Sequence, residues 1–146
     1  MVGWAKDRKI CLLAPGITDN SLDYMKSVLV HELVHVVFDD HCASGGPLWL
    51  SEGVAILYVN QTCDEYVNLD EFPLIREISG ENVHHFANRG GYDYAGIYVR
   101  HFINKLGIQV FKAAYSGQIV FGDYVDEGFE EEAIYNWMKG DQARGK

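Results

Sequence analysis

His31, Glu32 and His35 stand together in the pentapeptide HELVH, and after a gap of sixteen residues Glu52 stands in the segment WLSEGVA. Two histidines four apart on a helix project from the same face, so both imidazoles can reach one metal ion. Glu32 is then carried beside the ion with its carboxylate uncommitted. Glu52 would complete a His₂Glu set, which on zinc leaves a fourth position for water. That combination suits a zinc-activated water and a glutamate general base, the requirements for hydrolysing a peptide bond. The expected metal ligands are His31, His35 and Glu52, the expected cofactor is Zn²⁺, and the expected base is Glu32. The pentapeptide is short enough to recur by chance, so the elements around it decide its weight.

From Leu22 to about Phe38 the chain has no Gly or Pro, Asn20 or Ser21 offers an N-cap, and Asp23 complements the helix start. Apolar residues fall on nearly every face of this helix, a pattern expected of a helix buried all round. His31, Glu32 and His35 are then polar groups driven into an interior, and a bound metal ion relieves the several kcal/mol that unpartnered burial costs. The stretch DDHCASGGP ends the helix, and Pro47 opens a second apolar helix running to about Val59. A tight helix hairpin brings Glu52, one turn into the second helix, back towards the middle of the first. The competing reading of Glu52 is an ordinary carboxylate at a helix N-terminus, a poor fit to its neighbours Trp49, Leu50 and Val54.

The remaining elements follow from similar signals. Lys9–Ala14 (KICLLA) reads as a strand closed by Pro15-Gly16. A short helix is expected around Leu69–Ile78, a loop over Gly80–Gly91, and a helix over Tyr92–Leu106 with Gly107 at its C-terminus. Gln109–Tyr115 reads as a short helix, and Glu127–Lys139 as a final one with Gly140 after its end. No repeat or linker interrupts the 146 residues, which fit a single domain over 1–146.

A net charge of −9 argues against nucleic acid or an anionic membrane as partner and leaves a peptide or protein substrate. No apolar run approaches the roughly 18 residues of a membrane span. The N-terminus lacks the apolar core of a secretory signal, which implies a cytoplasmic protein, or an extracytoplasmic one if the chain is a piece of a longer protein. Cys11, Cys42 and Cys63 are odd in number and widely spaced, so they read as reduced thiols. Oligomeric state is not written in the sequence.

HELVH followed by WLSEGVA resembles the gluzincin metallopeptidases, whose pattern is HExxH and then a W-L-N/S-E-G-x-A segment on the next helix. The likeness continues into GYDYAGIYVRHFINKLG and covers about residues 8 to 139. It implies an α+β, zincin-like fold: a small mixed sheet packed on metal-binding helices, with the strand before the first helix lying along the cleft and pairing with an extended substrate. It also implies that Tyr92, matching the tyrosine that opens a helix in the aminopeptidase branch, donates its hydroxyl to the tetrahedral intermediate. Tyr94, standing where that branch has a lysine, competes for the role. The gap between His35 and Glu52 is shorter than is common in that branch, and its Gly-x-Met-Glu-Asn anchor for the substrate amino group is absent. An endopeptidase is therefore implied rather than an aminopeptidase. The alternative is a zinc-binding docking or regulatory domain of the same fold without catalysis.

Other residues carry plainer readings. His84-His85 fit a solvated loop, His41-Cys42 a turn, and His101 a satisfied helix position. Asp39 and Asp40 either support a ligand histidine or close the end of the first helix.

Overall fold

The computed structural model describes residues 3–13, 21–41, 47–59, 74–75, 83–88 and 90–144. Strands β1 (Gly3–Lys6) and β2 (Lys9–Leu12) pair antiparallel, Gly3 opposite Leu12 and Lys6 opposite Lys9. Asp7 and Arg8 join them with φ of 51° and 59°, the left-handed pair that a type I′ turn demands. Helices α1 (Leu22–His41), α2 (Leu48–Val59) and α3 (Val83–Asn88) follow. After them come α4 (Gly91–Leu106), α5 (Ile108–Tyr115), a 3₁₀ turn at Phe121–Asp123, and α6 (Glu127–Arg144). The architecture is α+β: mainly helical, with one small sheet. Among the described residues that sheet is purely antiparallel rather than mixed.

Ser21 caps α1, its Oγ accepting the Tyr24 N–H at 3.2 Å. One side of α1 faces the hairpin and α2, burying Met25, Val28, Glu32 and Val34. The other side is open: Leu29, Val30, Leu33 and Val37 are each between 43% and 48% exposed. The expectation of a helix buried all round is overturned, because hairpin and α2 cover only part of its circumference. His31, Glu32 and His35 lie on the covered part.

β1 runs alongside α1 in the same direction. Gly3 sits so close to Val28 that a Cβ there would stand 2.8 Å from Val28 Cγ1. Further on, Arg8 donates to both carboxylate oxygens of Asp40 at 2.6 to 2.8 Å. Asp40 therefore ties the end of α1 to the hairpin turn. The expected strand is β2; its partner β1 was not expected at all.

The closest helix pair is α2 with α4, and Gly53 makes it possible: a Cβ there would lie 2.4 Å from Ala95 O and 2.5 Å from Val99 Cγ2. Trp49, Leu50, Tyr98, Phe102, Phe111 and Tyr115 fill the core with no exposed surface. Full burial of a large apolar side chain stabilises by about 1.5–3 kcal/mol. Gly107 ends α4 as expected, with φ 89° and its N–H donating to Ile103 O at 2.8 Å.

α1 ends at His41, inside the expected DDHCASGGP stretch, but α6 passes through Gly140 to Arg144, since a glycine with ordinary helical geometry does not stop a helix. Within the expected loop Gly80–Gly91 stands α3, held by the fully buried ring of Phe86. The expected helix at Leu69–Ile78 lies outside the described residues except for Leu74 and Ile75, as do Pro15-Gly16, Cys42, Cys63 and the side chains of Asp39, His41, His84 and His85. Cys11 is a free, exposed thiol. No described helix is long and apolar enough to cross a membrane.

Candidate metal centre

His31 and His35, one turn apart on α1, meet edge to face with ring centroids 4.8 Å apart. Their Nε2 atoms are 3.1 Å from each other. Glu52 arrives from α2, its Oε2 3.0 Å from His31 Nε2 and 3.5 Å from His35 Nε2. All three side chains are about 85% buried, with 14% to 15% of their surface exposed.

Zinc bonds of about 2.0–2.1 Å in tetrahedral geometry place neighbouring donor atoms roughly 3.3 Å apart. The observed triangle of 3.0, 3.1 and 3.5 Å fits that edge length on every side. Two imidazole nitrogens and a carboxylate oxygen facing one point bring lone pairs together, which a cation stabilises and a lone shared proton satisfies only in part. The donor set therefore fits zinc, and among the described residues these three form the one cluster of this kind. Burial pushes the Glu52 carboxyl up, but hydrogen bonds and charge from His31 and His35 outweigh it and hold it at about 2.

Glu32 stays outside the triangle on the same helix. It is 9% exposed, and burial raises its carboxyl above the usual carboxylate range. His31 and His35 oppose that rise, as does a hydrogen bond from the backbone N–H of Ala5 on β1. The donor comes from β1 for a geometric reason. In a two-residue hairpin Lys6 and Lys9 form a hydrogen-bonded pair, so the alternate residue Ala5 directs its N–H and C=O away from β2.

The two candidate tyrosines separate. Tyr92 opens α4, and burial together with the charges of Glu52 and Glu32 pushes its phenol up to about 12. Phe86 of α3 supports it edge to face at 5.1 Å. Tyr94 is 3% exposed and belongs to the core. The Tyr92 hydroxyl thus senses both carboxylates.

Two residues at this centre were not singled out from the sequence. Ser51 Oγ is 3.0 Å from His35 Nδ1, and Tyr115 donates its hydroxyl to Ser51 Oγ at 3.2 Å. Ser51 had a visible signal, standing beside Glu52 inside WLSEGVA, whereas Tyr115 at the end of α5 had none. His101 also departs from expectation: it is 7% exposed, and among the described residues its Nε2 has no hydrogen-bond partner, Glu132 Oε2 lying 3.7 Å away.

No protein-family model, curated protein or solved structure matches this chain.

Proposed function

We propose that the chain is a zinc-dependent peptidase with a compact, zincin-like arrangement of the gluzincin kind, acting as an endopeptidase on peptide or protein substrates. The observation that carries this reading is the triangle of His31, His35 and Glu52 donor atoms at zinc-like separations beside a second glutamate, Glu32, that stands outside it. His31, His35 and Glu52 would hold the metal, which when bound supplies Lewis-acid polarisation of the scissile carbonyl.

The chain's own residues account for the rest. Glu32, with its carboxyl raised by burial, accepts a proton from the attacking water and passes it to the leaving amine. The Ala5 N–H holds that carboxylate in place during the transfer. Tyr92 keeps its proton at neutral pH, because its phenol is pushed up to about 12, and so donates to the oxyanion that develops on the substrate. Among the described residues no strand pairs with the outer edge of β1, where the C=O of Ala5 would offer an extended peptide an acceptor next to the base.

Glu32→Gln tests the reading. The variant should retain zinc by elemental analysis and lose about 10²–10⁴-fold in the cleavage of a peptide library. Wild-type turnover in Glu32→Gln would sink the mechanism. A wild-type protein that holds zinc but shows no chelator-sensitive cleavage would identify a docking domain instead.

A further inference from the structure

We infer that Tyr115 is a positioning residue for the metal centre, acting through Ser51 to fix the orientation of the His35 ring. The inference rests on the zinc reading above and names a residue four helices on from the HELVH helix. Tyr115 is the last residue of α5 and has no exposed surface. Phe38 of α1 packs edgewise on its ring at 5.1 Å, and Phe111 lies 6.0 Å away, so the ring has little freedom to turn. Its hydroxyl reaches Ser51 Oγ at 3.2 Å, and Ser51 Oγ in turn stands 3.0 Å from His35 Nδ1. Three helices (α5, α2 and α1) thus meet along one line of polar atoms that ends on a ligand ring.

The chemistry of imidazole makes that line matter. A neutral histidine carries its proton on one nitrogen and a lone pair on the other. For His35 Nε2 to face the metal with its lone pair, Nδ1 must carry the proton and donate it to Ser51. A serine hydroxyl has two acceptor positions and one rotating proton. The Tyr115 O–H bonds one side of the Ser51 oxygen and so fixes where that oxygen stands beside His35 Nδ1. Without Tyr115 the oxygen loses that anchor, and the His35 ring loses the fixed partner that sets its angle to the metal.

Tyr115→Phe removes one oxygen and leaves the buried ring. Zinc affinity, measured by competition with a chromophoric chelator, should fall about tenfold in Tyr115→Phe and by about 10–100-fold in Ser51→Ala. The double variant should be no weaker than Ser51→Ala, because both changes break one line. Independently of metal, the carbon-bound ring protons of His35 in the zinc-free protein should give sharp NMR signals in wild type and shifted or broadened ones in Tyr115→Phe, while those of His101 stay in place. A variant with lowered melting temperature but unchanged zinc affinity and unchanged His35 ring signals would make Tyr115 a packing residue and overturn the inference. Should the wild-type protein bind no zinc, the metal reading itself fails, and the His35 ring signals alone then decide whether the line from Tyr115 to His35 operates.

Discussion

At the scale of single residues, each polar side chain at the centre answers to its immediate surroundings. Tyr92 is held protonated by burial and by two neighbouring carboxylates, so it serves as a donor far into the alkaline range. Tyr92→Phe should lower kcat by about 10²-fold with KM and zinc content near wild type, as steady-state kinetics would show. Because the phenol ionises only near 12, the alkaline limb of the pH–rate profile should be the same in both proteins. His101 makes a separate prediction. Burial lowers its pKa below the ordinary value of 6.5, Lys105 adds to the effect, and Glu132, itself ion-paired with Lys105, opposes it. Between the folded and the unfolded value the unfolded chain binds more protons, so stability falls as pH drops from about 6.5 and levels off below the folded value. Replacing His101 by Leu should flatten that decline in urea titrations at pH 7 and pH 5. The proposed ligands and Glu32 could be singled out in the sequence because helical periodicity and residue type suffice to mark them. Ser51 and Tyr115 were not, since a hydroxyl serves in caps, turns and cores alike and only three-dimensional proximity gives it this place.

At the scale of elements, the site depends on how closely two helices approach. Gly53, next to the proposed ligand Glu52, lets α2 and α4 touch, and α4 brings Tyr92. Gly53→Ala places a Cβ where the backbone oxygen of Ala95 already lies, so the helices must part. Chemical denaturation should show a loss of about 1–3 kcal/mol. Activity should fall with it, as Tyr92 withdraws; unchanged stability would mean that the crossing relaxes without strain. The principal helices were legible from long apolar patterns bounded by turn residues, whereas β1 was not. Its four residues, GWAK, are too few for a periodic pattern, and the turn uses Asp-Arg in place of the Asn-Gly that advertises a tight hairpin. α3 escaped for a similar reason: its six residues hold because Phe86 finds the core, which no local signal announces.

At the scale of the whole molecule, the proposed metal joins α1 to α2 and so becomes part of the fold's stability. A ligand bound only by the folded state, at a thousand times its Kd, stabilises by about 4 kcal/mol. Chelation should therefore lower the melting temperature of the wild-type protein by several degrees, and Glu52→Ala should melt at one temperature with or without chelator. Differential scanning calorimetry checks both. The single-domain size was read from length and composition, but the open side of α1 was not. An all-round apolar helix pattern says what a helix tolerates, and the number of neighbours around it is a property of the assembled fold.

The hydrogen bond from Ala5 to Glu32 has a spectroscopic consequence. A carboxylate is a stronger acceptor than a carboxylic acid, so the Ala5 amide proton should resonate downfield while Glu32 is ionised and move upfield when it takes up a proton. One backbone signal in an outer strand thereby becomes a gauge of the charge on the proposed catalytic base, readable without substrate, without turnover and without a label on Glu32 itself.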